Sequence, residues 1–383
     1  IEPFIDKPLV KILAGIRRCG KSTIFEMLRE ELLRRGARED QIICKRYTEM
    51  DIPENITAKQ MYDELTAAMA GKGHCYLLLD EIQEITGWEK AVNSLLESAD
   101  ADIYVTGSNS KLMSSEISTY LTGRYVSIPV YTLSFKEYLD FKADSTLSRR
   151  ELLEEYIRFG GFPIIALSEY DEQSAYQIVN GIYHTVVSRD IVKRHRINKQ
   201  DLFDRVVKYI IENMGKTFSA NSISTFLKSE HRKVSVESIY NYLRWLEQAF
   251  IIYPCERYDL QGKSILKTQE KYYLADVSLK YALLGYNRKM LDGAMENIVY
   301  LELKRRGYDV YIGKNDTKEI DFVATRRDER IYVQVCVRIP EASDREVGNL
   351  MEIRDHYPKY VVTLNEMDTG IEDGIRIVHL ADF

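Results

Sequence analysis

The stretch Gly15–Ser22 constrains the fold of this chain of 383 residues more than any other part of the sequence. It reads G-I-R-R-C-G-K-S and matches the pattern G-x-x-x-x-G-K-[S/T] in full. Residues 9–14 are mostly apolar and predict a strand before it, and apolar positions at helical spacing predict a helix over Thr23–Arg35 after it. A strand, a glycine-rich loop and a helix in this order are typical of a parallel α/β sheet that binds phosphate groups.

The residue types of this loop explain how it can bind phosphate. Glycine permits a tight turn whose backbone N–H groups point inward at phosphate oxygens. We expect the Lys21 ammonium to reach the β- and γ-phosphates of ATP, where it also serves catalysis, and the Ser22 hydroxyl to ligate Mg²⁺. Two roles stay open for Arg17 and Arg18, a contact with phosphate and a salt bridge to a lid. The predicted nucleotide-binding residues are Gly15, Ile16, Arg17, Arg18, Cys19, Gly20, Lys21, Ser22 and Thr23.

A pair of carboxylates forms the second candidate site. The apolar stretch Cys75–Leu79 predicts a further strand, and Asp80 and Glu81 follow it directly. In open parallel sheets, ligands bind at the carboxyl ends of the strands, so we expect this pair beside the phosphate loop. Asp80 is the predicted ligand in the coordination shell of Mg²⁺, and Glu81 is the predicted catalytic base that polarises the attacking water.

Two further positions are candidates for contact with the nucleotide. Strand and helix patterns alternate as far as a strand at Ile103–Thr106, which predicts a sheet covered on both faces, and Ser108 and Asn109 follow that strand. One of them, with Asn109 as the catalytic candidate, can sense the γ-phosphate or the attacking water; the alternative is a helix N-cap, which both residue types favour. Arg124 is a candidate to neutralise charge in phosphoryl transfer, in its own or a neighbouring subunit, and its alternative is a surface ion pair.

Composition limits the partners of the chain. The 53 basic and 59 acidic side chains give a net charge of −6, which excludes a uniformly basic surface for nucleic acid and leaves only a local patch. The five cysteines form no C-x-x-C pair and predict reduced thiols rather than a zinc site or disulfides. No apolar run approaches the ~18 residues of a membrane span. We therefore expect a cytoplasmic protein without membrane contact, whose true N-terminus lies before Ile1 because the sequence lacks an initial methionine.

Several segments together resemble the prokaryotic AAA-type P-loop ATP-binding proteins. These segments are GIRRCGKST, YLLLDEIQEITGWEKAV, VTGSNSKLMSSEISTYLTGRY, IPVYTLSFKEYL, FGGFPIIAL and VVSRDIVKRHRI. The resemblance is strongest over residues 9–195, and it implies an AAA+ ATPase fused to a C-terminal domain of unknown function. The implied fold is α/β, with a parallel P-loop sheet (1–143), a helical lid (144–200), a winged-helix segment (201–284) and a restriction-endonuclease-like α/β domain (285–383).

The middle of the chain has the pattern of a winged helix, three helices followed by two strands. Ser219 and Ser235 are the predicted N-caps of the second and third helices. The helices are predicted at Phe203–Asn213, Ser219–Lys228 and Ser235–Phe250, and the strands at Ile251–Tyr258 and Lys271–Ala275.

Charge on this segment leaves its partner open. A basic turn made of Lys228 and residues 231–233 can hold DNA phosphates, and residues 261–263 are the predicted tip of the wing. Glu237 and Glu247 lie on the third helix, however, and lower its positive charge. DNA binding, docking of a protein partner and a purely structural role all remain alternatives.

The last domain has the order of the PD-(D/E)xK nucleases with a damaged active site. Glu296 on a helix begins this order, and Asp321 on a strand keeps the position of the first metal-binding acid. Gln334 and Cys336 stand where this chemistry needs a second metal-binding acid and a lysine. A neutral amide binds Mg²⁺ weakly and a thiol carries no positive charge, so we predict a nuclease-like fold without nuclease activity.

The function predicted from these patterns is an ATPase that depends on Mg²⁺ and couples its nucleotide state to DNA or to a partner. The first alternative is a nucleotide-gated switch without turnover. An ATP-coupled nuclease is the least favoured alternative. An oligomer is compatible with the sequence, and it is required if Arg124 acts on a neighbouring subunit.

Overall fold

The structure is a computed structural model. It describes residues 1–48, 53, 56–113, 115–197, 199–229, 231–232, 234–262, 264–287, 290–339 and 345–383. Lys233 of the predicted basic turn and Lys263 of the predicted wing tip lie outside the described residues. The chain divides into two compact units. The first comprises Ile1–Tyr131 and Gln248–Phe250, and the second comprises Thr132–Glu247 and Ile251–Phe383.

The first unit is a parallel sheet with helices in its crossover connections. Its strands are β1 (Val10–Ala14), β2 (Ile42–Arg46), β3 (Cys75–Asp80), β4 (Ala101–Gly107) and β5 (Tyr125–Pro129), and its helices are α1 (Lys21–Arg34), α2 (Ala58–Met69), α3 (Trp88–Ser98) and α4 (Ser115–Leu121). The strand order is β2-β3-β4-β1-β5, with every pairing parallel. Because β4 lies between β1 and β3, the segments that follow these three strands meet at one edge of the sheet.

Strand β1 lies inside this unit, between β4 and β5. All five of its residues are buried, as expected for a strand covered on both faces. Helix α1 contributes Phe25, Leu28 and Leu32 to the apolar core that includes Leu13 of β1. One buried position is polar: the Lys11 ammonium donates to the Lys7 carbonyl at 2.7 Å and forms an ion pair with Asp102.

The second unit begins with helices. They are α5 (Phe135–Phe141), α6 (Arg149–Phe159), α7 (Pro163–Ala166), α8 (Glu172–Val186), a π-helical stretch at Val187–Val192, α9 (Lys193–His195), α10 (Gln200–Glu212), α11 (Ala220–Ser229) and α12 (Val236–Gln248). The turn between α6 and α7 requires glycine at Gly160, which has a φ of +76° and where a Cβ would lie 1.8 Å from a carboxylate oxygen of Asp276. The other oxygen of that carboxylate accepts the Gly161 N–H at 2.8 Å. Gly160 therefore makes room for this buried carboxylate, and Gly161 donates a hydrogen bond to it.

An eight-stranded mixed sheet completes the second unit. Its elements are β6 (Ile252–Asp259), β7 (Ser264–Leu274), α13 (Ser278–Leu284), α14 (Leu291–Arg305), β8 (Asp309–Asn315), β9 (Lys318–Arg326), β10 (Glu329–Cys336), α15 (Arg345–Met351), β11 (Lys359–Thr363), β12 (Gly370–Glu372) and β13 (Ile375–His379). The strand order is β12-β13-β11-β10-β9-β8-β6-β7. The two strands predicted as a wing pair with each other as expected, but β6 also pairs with β8 through Arg257–Asp259. They are thus the edge of this sheet.

Candidate nucleotide-binding site

The loop between β1 and α1 has the tight geometry that its glycines permit. A Cβ at Gly15 would lie 2.0 Å from the Val130 carbonyl oxygen, so no other residue fits there. Gly20, at the start of α1, has a φ of +103°, and Arg18 also has a positive φ, of 67°. The loop therefore turns sharply before the N-terminus of α1, where unpaired backbone N–H groups favour an anion.

Lys21 and Ser22 lie where the loop enters the helix. The Lys21 ammonium is buried and donates to the carbonyl oxygens of Gly15 at 2.9 Å and Ile16 at 3.0 Å. The Ser22 hydroxyl donates to the Asp80 carboxylate at 2.7 Å. The structure thus brings the loop and the acidic pair together, as the strand order requires.

Asp80 ends β3 as a buried carboxylate with several donors. Besides Ser22, the Thr106 hydroxyl donates to it, and the Arg46 guanidinium donates at 3.0 Å. No sequence pattern predicted that Arg46 or Thr106 belongs to this site. Arg46 is the last residue of β2 and pairs in register with Asp80, so its place at the carboxyl end of a predicted strand is the signal that could have found it.

Glu81 is held by four neighbours. Its φ is +56°, and its N–H donates to the Thr106 hydroxyl at 3.0 Å. The Gln83 amide and the Ser108 hydroxyl, the latter at 3.3 Å, donate to its carboxylate. Arg17 forms an ion pair with the same carboxylate at 3.5 Å.

The two loop arginines had two open roles. Arg17 pairs with Glu81 and, at 3.6 Å, with Glu84, so its cation faces the acidic segment after β3. Arg18 takes the left-handed backbone conformation. Contact with phosphate and a salt bridge to a lid both stay predictions for these two arginines.

Ser108 and Asn109, the two candidate sensors, differ in what they contact. The Ser108 hydroxyl faces Glu81, whereas the Asn109 side-chain oxygen accepts the Lys111 N–H at 2.9 Å. Asn109 therefore begins the 3₁₀ turn at Ser110–Met113, as the alternative interpretation of this residue expects. Of the two, Ser108 is the one that lies at the acidic pair.

Arg124 lies at the opposite edge of the sheet from the loop. Its carbonyl accepts the N–H of Val10, at the start of β1, whereas the loop follows the end of that strand. The length of β1 separates the two, about 13 Å at ~3.3 Å per residue. The guanidinium donates to Glu97 at 2.7 Å and Asn93 at 3.0 Å. The structure gives Arg124 the ion pair of the alternative interpretation. A role in phosphoryl transfer, in its own or a neighbouring subunit, stays a prediction.

In the second unit, the predicted nuclease-like residues also come together. The Asp321 N–H donates to the Gln334 side-chain oxygen at 2.6 Å, and burial first, then the charge of Glu296, raises the pKa of Asp321. Cys336 is buried, which raises the pKa of its thiol to about 12. Among the described residues, no three acidic, histidine or cysteine side chains are arranged to hold a metal ion.

Fold and site define the class of the first unit: it is an AAA domain of the P-loop ATPase type. The family described as an AAA domain matches residues 7–139, and a domain of unknown function matches residues 150–289. The chain is similar in structure to a Walker-type ATPase of Pyrococcus abyssi, with a TM-score of 0.51 at 15% identity over 74% of this chain and 92% of the other. At this identity the likeness concerns the fold alone.

Relatives in sequence extend over both units. An uncharacterized protein of Haemophilus influenzae is 37% identical over 99% of this chain and 95% of its own length. An uncharacterized protein of Methanocaldococcus jannaschii is 32% identical over 88% of this chain and 77% of its own length. The chain therefore belongs to one family with these relatives. In the part of the chain that the structure describes, no helix has both the length and the apolar composition needed to cross a membrane.

Proposed function

We propose that the AAA domain hydrolyses ATP in a reaction that depends on Mg²⁺. The observation that carries this proposal is the 2.7 Å hydrogen bond between the Ser22 hydroxyl and the Asp80 carboxylate, two residues 58 positions apart in sequence. It joins the phosphate loop to the acidic pair, and the two motifs have a shared use only if a phosphate and a cation bind between them.

The donor set fits the magnesium ion of such a reaction. A hydroxyl and a carboxylate are the hard oxygen ligands that Mg²⁺ takes alongside several waters. When bound, Mg²⁺ would neutralise charge on the phosphate oxygens. Lys21 exchanges its loop carbonyls for phosphate oxygens, and Glu81 orients the attacking water and takes up its proton. Ser108 orients the Glu81 carboxylate through its hydroxyl.

One observation favours the alternative of a nucleotide-gated switch. The carboxylate of Glu81 forms an ion pair with Arg17 and accepts hydrogen bonds from Gln83 and Ser108. Arg17 and Gln83 contact this carboxylate, so a water reaches it only after one of these contacts opens. Slow or triggered turnover is the expected consequence.

Nucleotide binding is the first test of this proposal. Lys21→Ala removes the cation that meets the phosphates and is expected to abolish binding of a fluorescent ATP analogue. Lys59→Ala is the matched control, since Lys59 is an exposed lysine of α2 that contacts Asp63 and the Tyr62 ring of its own helix. Equal binding by wild type and Lys21→Ala would overturn the proposal.

We propose further that the nucleotide state is coupled to DNA through the helices α10–α12. On α12, Tyr240 is 60% exposed and Arg244 donates to the neighbouring Asn241, an aromatic and a basic group on one helix. Two observations limit this support: Arg232 of the basic turn pairs with Asp201, and the expected wing belongs to the large sheet. A protein partner on the same helices is therefore the alternative.

Turnover with and without DNA separates these partners. We expect duplex DNA to raise ATP turnover by the wild type, and the double variant Tyr240→Ala/Arg244→Ala to lose the stimulation while keeping basal turnover. Stimulation that is unchanged in the double variant would exclude this face of α12. Turnover indifferent to DNA would favour a protein partner, and tight ATP binding without turnover would favour the switch.

A further inference from the structure

The carboxylates of the second unit surround a lysine that no motif predicts. Lys271 of β7 has a side chain only 5% exposed. Its ammonium lies 2.9 Å from the Glu319 carboxylate and 3.3 Å from the Glu296 carboxylate. Asp321 of β9 adds a third negative charge near this ammonium. Lys271, Glu296, Glu319 and Asp321 are called the Lys271 cluster below.

The oxygens of this cluster already have donors. The Glu296 oxygen that faces Lys271 also accepts the Tyr273 hydroxyl at 3.0 Å. One oxygen of Asp321 accepts the Val335 N–H at 2.8 Å. A divalent ion at the same oxygens would lie next to a buried ammonium, and like charges in a site of low dielectric repel strongly.

Gln334 fixes the other side of the cluster. Its side-chain oxygen accepts the Asp321 N–H at 2.6 Å, and its amide nitrogen donates to Glu346 at 2.7 Å. The amide supplies the acceptor and the donor that these two neighbours need, so they also fix its orientation. A glutamate in its place would turn a carboxylate toward Glu346. The neutral residue at this position is thus built into the site.

The nuclease-like order of these residues implies a magnesium site, and the residues present do not fit one. We infer that the Lys271 ammonium is the resident cation of this cluster and closes it to divalent metal ions. Carboxylates this close together need a positive charge to remain ionised where they are shielded from water, as the Glu296 side chain is at 15% exposure. Lys271 supplies it from β7, a strand outside the nuclease-like order of Glu296, Asp321 and Gln334.

The charge of Lys271 is consistent with this role. Burial lowers the pKa of a lysine, but the carboxylates of Glu296, Asp321 and Glu319 outweigh that effect and hold the pKa of Lys271 above its ordinary value. Lys271 therefore keeps its proton at neutral pH. It is a fixed charge, not a titrating one.

Manganese alone, added to the full chain without nucleotide, tests this inference through thermal unfolding. The wild type is expected to keep its Tm in Mn²⁺. Lys271→Met is expected to unfold at a lower temperature and to recover part of the loss in Mn²⁺, because the vacated carboxylates can then bind the ion. Lys271→Arg keeps the charge and is expected to ignore Mn²⁺.

A double variant keeps the inference testable if Lys271→Met does not fold. Lys271→Met/Glu296→Gln removes one charge of each sign and is expected to be more stable than Lys271→Met alone. A double variant no more stable than the single one would overturn the inference. So would a wild-type Tm that rises in Mn²⁺ and loses the rise in Asp321→Asn, or Mg²⁺-dependent DNA cleavage that Asp321→Asn abolishes.

Discussion

The two units each hold a cluster of carboxylates, and the clusters differ in the cation that neutralises them. Asp80 accepts from the hydroxyls of Ser22 and Thr106, and its cationic partner Arg46 is 45% exposed. Glu296 and Glu319 instead share the Lys271 ammonium, which is 5% exposed. An exposed side chain at a strand end can move aside for a ligand, whereas a buried one cannot. Acidic residues in a sheet therefore indicate a metal site only when no internal cation already neutralises them.

The largest expected effect is on ATP turnover, and it distinguishes the acidic residues of the two clusters. Glu81→Gln should retain ATP binding and lower turnover by about 10²–10⁴-fold, since it removes the base. Glu296→Gln, the matched change in the second unit, should leave turnover unchanged. Steady-state phosphate release by the two variants measures both. Normal turnover by Glu81→Gln would remove that residue from the mechanism.

The next largest effect is on the free energy of unfolding, for which the buried Lys271 is compared with the more exposed Lys45. Lys271→Met should lower the free energy of unfolding by about 3–5 kcal/mol, because it leaves buried carboxylates without their cation. Lys45→Met breaks the more exposed ion pair with Glu64 and should cost less than about 1 kcal/mol. Urea denaturation measures both changes. Equal losses would mean that the Lys271 cluster is solvated like a surface pair.

A third prediction concerns a buried lysine without such compensation. Lys280 is 3% exposed, and its ammonium forms no hydrogen bond or ion pair with any described residue. Burial first, and then the charge of Lys216, lowers its pKa to about 8, with Glu296 opposing the shift. Lys280→Met should therefore raise the free energy of unfolding near pH 7, by roughly 1–3 kcal/mol. The exposed Lys216→Met is the control and should change it little.

The pH dependence of the same variant follows from the sign of the shift. Between pH 8 and 10.5 the unfolded chain keeps the proton of Lys280 and the folded chain has released it, so this residue makes stability rise with pH in that window. Below pH 8 both states are protonated, and its contribution does not change with pH. The difference between wild type and Lys280→Met should shrink from pH 8 to 10.5, measured by urea denaturation at each pH. A constant difference would contradict the lowered pKa.

The smallest effect distinguishes the two neighbours after β4. Ser108→Ala should lower ATP turnover by about fivefold without loss of stability, because one hydrogen bond that orients Glu81 is worth about 1 kcal/mol. Asn109→Ala should instead lower the free energy of unfolding by about 1 kcal/mol through the lost cap and leave turnover near the wild-type value. Phosphate release and urea denaturation on both variants give the answer. The reverse pattern would restore Asn109 as the sensor.

Local sequence signals predicted helix bounds well where a cap is present. Apolar spacing predicts helices over residues 58–69 and 135–141, the bounds that α2 and α5 have in the structure. Thr57 and Ser134 form capping boxes with Gln60 and Glu137 at their starts. The predicted caps of α11 and α12 also form, with Ser219 and Ser235 each accepting an N–H three residues on. These hydrogen bonds lie within one turn, so the residues that make them are visible in a short window of sequence.

Elements with a weak local sequence pattern were not predicted. Strand β5 is only partly buried and pairs with β1 alone, and β12 has three exposed residues. Apolar spacing predicts one continuous helix over residues 172–192, and it gives no indication of the π-helical stretch at Val187–Val192. Such segments take their conformation from pairing and packing partners that a periodicity of apolar residues does not reveal.

The sequence by itself determined the phosphate loop, because the residues that make it are contiguous and the strand and helix beside it have strong local patterns. It also identified Asp80 and Glu81, through the rule that ligands bind at the carboxyl ends of parallel strands. Tertiary structure alone decided that Arg46 faces Asp80 and that Lys271 lies between Glu296 and Glu319. These contacts join residues far apart in the chain, and strand order and register bring them together. Whether a carboxylate can still bind a cation is therefore decided by its neighbours in space.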